Sequence, residues 1–235
     1  MQVFDGFPFG MEEFFMMIRF NNNAVFFEEH RSLFERDVKA PLYALAEALA
    51  SSVLAVDPSL ETRPSRVVSR IRRDTRFSHD KSPYRDHMWI GWRPVRTADS
   101  ERKQQIPGLY FSVSLSGWDV GVGYYEATPA TMKAFRARML AAPSSFRTII
   151  KEPAFADSFT LHGEEYKRPP AGMESIPDDL APWYKKKSFY VEHAEPLADK
   201  ARTASLVDTL TPLIAALAPM YQYLCTLPIE ELRDN

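Results

Sequence analysis

A chain of 235 residues with 45% apolar residues and 16 phenylalanines can bury most of its surface around a core, so it needs no disulfide or metal staple. A formal net charge of −2 excludes a polycation that attracts nucleic acid or anionic lipid by bulk charge; any anion recognition has to come from local clustering. The only cysteine, Cys225, excludes an intrachain disulfide and fits a reducing compartment, and its neighbours Leu224 and Leu227 point to a buried, inert thiol.

The first residues lack the basic and apolar segments of a signal peptide. No apolar run approaches the roughly 20 residues of a membrane-spanning helix. The sequence therefore reads as cytoplasmic, with no membrane partner. In chain order, residues 11–20 predict a short helix entering the core. Asn21, Asn22 and Asn23 break it, because the amide competes for backbone groups, and Asn22 or Asn23 caps the helix that follows. That helix carries Phe26, Phe27, His30, Phe34 and Val38. Pro41 kinks it or starts another, whose face is Leu42, Leu45, Leu49 and Val53 at spacings of three and four.

Beyond Pro58 the pattern turns to strand. Residues 67–71 are rich in β-branched side chains, and residues 87–93 follow as a second apolar run. A polar loop covers 97–105. Residues 109–115 alternate apolar and polar, and Gly117-Trp118 turns into 119–125. Short turns between successive strands predict an antiparallel meander, with at least three strands inside 67–125. Thr128 caps and Pro129 opens a helix bearing Met132, Phe135, Met139 and Leu140, and residues 144–151 continue helical. Residues 159–163 form a weak strand, 167–173 a Pro/Gly loop, and 178–187 a helix whose end, Lys185 to Lys187, suits a C-terminal dipole. Residues 188–193 read as strand, and 197–225 as a helical region interrupted at Pro212 and Pro219. The fold class is α+β: an antiparallel meander covered by helices, in a single domain spanning 1–235.

The segment from Arg70 to Arg85 carries the chemistry. Arg70, Arg72, Arg73, Arg76, Lys81 and Arg85 surround Asp74 and Asp80, with hydroxyls from Thr75, Ser78, Ser82 and Tyr84. Between residues 61 and 96 ten basic side chains stand against four acids. Guanidinium forks hold phosphate or carboxylate at two points. One reading is an anion site in which Arg70, Arg73, Arg76 and Lys81 hold the ligand, Tyr84 lines it, and Arg168 contributes from a second loop. Asp74 and Asp80 then orient the forks, or act as acid and base if the protein is an enzyme. On this reading at least one of the two carboxylates is buried against an arginine of the motif. The other reading is an internal salt-bridge network that fixes a connection.

Other constellations carry less. His79-Asp80 and Asp86-His87 are neighbours that point to opposite faces of a strand, so no metal and no cofactor is assigned. Gly121-Val122-Gly123 lacks the third glycine of a phosphate loop and marks a bulge or a close backbone approach. No nucleophile elbow exists. Phe77, Tyr84, Trp89 and Trp92 interleave with the arginines as in nucleic-acid binders, but no nucleic-acid motif accompanies them. The leading function is binding, with or without turnover, of a small phosphorylated or carboxylated ligand. The alternative is a nucleic-acid or protein interaction module.

Several motifs also resemble one family. They are Asn22-Asn23 followed by Phe27 and Arg31; the run Arg73-Asp-Thr-Arg-Phe-Ser-His-Asp-Lys-Ser-Pro-Tyr84; Gly121 and Gly123 before Tyr125 and Pro129; Arg138; and Arg168-Pro169 with Gly172 before Lys187-Ser-Phe189. Together they are similar to the bacterial and fungal family catalogued as domain of unknown function 2461, over about residues 14–224. The resemblance implies a single globular α/β-type unit. It brings no activity, substrate or catalytic residues with it.

Overall fold

The computed structural model describes residues 3–76, 80–95, 106–168, 170 and 172–228. The predicted loop 97–105 lies outside them, as do Phe77, Ser78, His79, Pro169 and Ala171. Five strands form one antiparallel sheet in the order β1-β2-β3-β5-β4: β1 His87–Trp92, β2 Gly108–Ser114, β3 Gly117–Tyr124, β4 Thr160–His162 and β5 Phe189–Glu195. The first three are the predicted meander. Along β1 and β2 buried residues alternate, Met88, Ile90, Trp92 and then Leu109, Phe111, Val113, as a pleat with one covered face requires. β5 pairs with β4 through Thr160↔Glu192, Leu161↔Val191 and His162↔Tyr190. The chain divides into two compact units. One is Met1–Pro94, Tyr110–Val120 and Ala194–Ala215; the other is Val95–Leu109, Gly121–His193 and Ala216–Asn235.

In the first unit, α1 Phe9–Phe20 buries Met11, Phe14, Phe15 and Ile18, the three-and-four spacing of one helix face. Asn23 then caps α2 Ala24–Glu29 by accepting the Phe26 N–H at 3.0 Å. α3 Arg31–Phe34 leads into a π-helical turn at Glu35–Lys39, followed by α4 Ala40–Ala48 and α5 Ala50–Val56. Pro41 explains the wide turn: it has no N–H, and its ring crowds the carbonyl four residues back. Leu42, Leu45, Leu49 and Val53 are all fully buried. The rings of Phe14, Phe27 and Phe34 pack 5.4–6.3 Å apart, and Phe27 stacks on Tyr84 at 4.4 Å and 13°.

The predicted strand 67–71 is not one. Val67 ends α6 Pro64–Val67, and only single bridge pairs follow, Val68↔Ile90 and Arg72↔Tyr84. The reason lies in the partner groups. The Ser69 hydroxyl accepts the Trp89 N–H at 3.0 Å, taking a donor the ladder needs, and Pro83 has no N–H to give.

In the second unit, Thr128 caps α7 Pro129–Ala141 as expected, accepting the Thr131 N–H at 3.1 Å. Met132, Phe135 and Met139 are buried, whereas Leu140 is exposed. α8 Pro143–Ile150 and α9 Pro153–Ala156 also open on proline. Phe135, Phe146, Trp183 and Phe189 pack with ring centroids 4.7–5.5 Å apart, three of these four contacts close to perpendicular, the arrangement ring quadrupoles favour. The expected Gly121–Gly123 close approach is real. A Cβ on Gly123 would lie 2.4 Å from the Tyr190 Cα, and its φ of +153° is open to glycine alone.

Three readings of the C-terminal half need correction. The helix expected over 178–187 is only α10 Ala181–Tyr184. Lys185 does cap the end of α10, but the three lysines also pair with acids, Glu165, Glu165 and Glu164 at 3.1, 3.1 and 2.9 Å, and of the three Lys186 is buried. The last helix, α11 Ser205–Cys225, runs unbroken through Pro212 and Pro219. Cys225 is half-buried rather than sealed in the core. Among the described residues no single helix is long and apolar enough to cross a membrane.

Candidate functional site

Residues 68–73 and 83–90 lie antiparallel in the first unit. Ser69 N–H donates to Trp89 O at 2.8 Å, Arg73 N–H to Pro83 O at 2.9 Å and Arg85 N–H to Ile71 O at 2.9 Å. The outer edge is closed by a side chain: the Asn22 amide donates to Tyr84 O at 2.9 Å, and its oxygen accepts the Tyr84 N–H at 2.9 Å. Tyr84 is thereby fixed and buried against Phe27.

The connecting segment ties itself together through its acids. Asp74 accepts Arg76 Nε and Nη2 at 3.0 and 2.7 Å and the Arg76 N–H at 3.2 Å. This fork, helped by the backbone donor, holds the Asp74 carboxyl down at about 2. Asp80 accepts the Ser82 N–H at 2.9 Å and pairs with Arg73 at 3.0 Å; Ser82 and then Arg73 keep its pKa below the ordinary value. Both carboxylates therefore meet an arginine of the motif, but neither is buried: their side chains are 55% and 52% exposed. Carboxylates so held are poor proton acceptors near neutral pH, and orienting arginine forks is the chemistry this geometry suits. Lys81 donates to Thr75 O at 2.9 Å. Arg85 donates to the carbonyls of Arg70, at 2.8 Å, and of Arg72, and lies 4.8 Å over the Trp89 ring. Burial, then the charge of Arg73, lowers its pKa.

Arg70 and Arg72 differ from the rest. Both are exposed, and among the described residues neither makes an ion pair with a carboxylate. Arg72 lies 5.8 Å over the Tyr84 ring. The two line a cavity of about 560 Å³ together with Arg73, Arg76, Arg85, Asp74, Thr75 and Trp89. Five guanidinium groups share that wall with one carboxylate. Arg73 Nε is buried without a hydrogen-bond partner among the described residues.

Of the residues singled out from sequence, Arg70, Arg73, Arg76 and Asp74 line this cavity, and Asp80 braces it through Arg73. Lys81 is turned to the backbone, and Tyr84 lines a neighbouring cavity. Arg168 is an exposed residue of the second unit, whereas every residue lining the arginine cavity belongs to the first. Tyr84 and Trp92 are 1% and 0% exposed, so neither ring is open to stack on a base. Arg72 and Arg85 also line the cavity, and nothing in their spacing along the sequence separates them from Arg73 and Arg76. Among the described residues no three His, Cys, Asp or Glu side chains converge as metal ligands.

Comparison with curated proteins finds no match. Residues 11–223 match the family model described as conserved hypothetical protein, DUF2461. That range contains the helices that carry Phe27, the whole arginine segment and the sheet, and the chain belongs to this family.

Proposed function

We propose that the arginine cavity binds a small phosphorylated or carboxylated ligand, with Arg70 and Arg72 as its principal contacts and Arg73 and Arg76 lining the site. The observation that carries this reading is the division of labour among the cations. Arg76, Arg73 and Arg85 are engaged by Asp74, Asp80 and backbone carbonyls, while Arg70 and Arg72 face the same cavity without a carboxylate. Charge-assisted contacts contribute roughly 1.5–3 kcal/mol each. Two of them, less the cost of ordering two long side chains, correspond to weak binding, of about millimolar affinity or weaker.

The competing reading is a scaffold that presents this face to a protein or nucleic acid, and the Asp74–Arg76 and Asp80–Arg73 pairs favour it. One titration separates the two. Phosphate, sulfate or a nucleotide raises the melting temperature of the wild-type protein, and the rise disappears in the folded double variant Arg70→Ala/Arg72→Ala. A wild-type melting curve indifferent to all three anions removes the ligand reading and leaves the scaffold.

A further inference from the structure

We infer that the anion held by Arg70 and Arg72 carries an apolar body, and that this body occupies a second cavity lined by the same two arginines. The inference rests on the reading of those arginines given above. The second cavity has a volume of about 370 Å³, within the roughly 300–1,000 Å³ of small-molecule sites. Its floor is Phe27, Phe34, Ile71, Tyr84 and Met88, each no more than 8% exposed. Side chains this covered give the cavity an apolar floor with no open ring face to stack on, a surface suited to a compact apolar body.

The charges on the rim fit one kind of molecule. Glu28 is already held by Arg31, with Nε at 2.9 Å, and Glu35 by Lys39 at 2.7 Å. These pairs neutralise each other, so the lining keeps the excess charge of Arg70 and Arg72 alone. Glu28 also feels the charge of Arg72, but neither Arg70 nor Arg72 forms an ion pair among the described residues, and an apolar floor beside two such cations matches a molecule with an apolar body and a single anionic head. Inorganic phosphate would satisfy the arginines and leave the floor wet; a polar body would do the same. The ligand class is a phosphate monoester or carboxylate on an aromatic or aliphatic body.

The test compares phenyl phosphate with glycerol phosphate by calorimetric titration of the whole chain. The heads are the same and only the bodies differ. Burial of the ring gives phenyl phosphate an advantage of about ten-fold in Kd. Ser65 is exposed and lies on the wall of this cavity; Ser65→Trp fills the space, and the advantage disappears while glycerol phosphate binds as before. Should that variant misfold by circular dichroism, the comparison on the wild-type chain decides alone. Equal binding of both phosphates, weakened in Arg70→Ala/Arg72→Ala, overturns the apolar body and keeps the anion site. No binding of either overturns both.

Discussion

The carboxamide of Asn22 meets both backbone groups of Tyr84, 62 positions away in the chain. It supplies what a neighbouring strand would supply, and it keeps the Tyr84 ring against Phe27. Asn22→Ala removes two hydrogen bonds and leaves two backbone groups of a buried residue unsatisfied. The expected loss is about 2–3 kcal/mol, read as a lower urea midpoint with an unchanged slope. A loss within the error of the midpoint means that water replaces the amide without cost. Asn22→Asp keeps the acceptor, loses the donor and falls between. At this scale the sequence was half legible. The asparagines were readable as helix punctuation, and Asn23 is the cap. The bond from Asn22 to Tyr84 was not, because no local pattern encodes a partner that distant.

Local signals served α1, α2, α4 and α7 well and failed at α11. An interior proline costs a helix about 3 kcal/mol, and two of them in residues 197–225 predicted interruptions. The helix continues because its buried face, including Leu206, Leu210, Ile214 and Leu217 at 0% exposure, is worth more than the two lost backbone bonds. Pro212 is exposed, so its replacement opens no cavity. Pro212→Ala restores a donor for the Asp208 carbonyl and loses up to about 1 kcal/mol of unfolded-state restriction. The expected net effect is a stabilisation of about 2 kcal/mol, seen as a raised melting temperature; a lowered one would show that the proline conformation is itself needed. The segment 67–71 makes the opposite point. Its β-branched residues favour a strand, yet Ser69 and Pro83 withdraw the groups that a ladder requires.

Across the whole molecule, paired acids govern the response to pH. Glu61 is hydrogen-bonded by the Arg63 side chain and backbone, which bring its carboxyl from 4.5 to about 2; Asp74 is brought from 3.8 to about 2. A carboxyl whose pKa is lower in the folded state binds protons more readily when unfolded. Its contribution is therefore complete above the unfolded value and is lost as pH falls through the folded one. Stability measured by urea titration should hold from pH 7 to about 5 and then decline between about 4.5 and 2. Glu61→Gln should make that decline shallower, and an equally steep decline in the variant would assign it to other groups. The sequence by itself determined the α+β class, the three-strand meander, the Thr128 cap and a cap at Asn22 or Asn23, together with the concentration of cations between residues 61 and 96. These depend on side-chain period, on caps acting over a few residues and on composition, all of which can be read along the chain. Tertiary structure alone decided which charges are spent and which are left. It joined Lys185, Lys186 and Lys187 to Glu164 and Glu165, and it brought Phe27 and Phe34 into the lining of one cavity with Arg70 and Arg72. Ion pairing and cavity walls depend on distances between segments far apart in sequence, and packing fixes those distances only once the chain has folded.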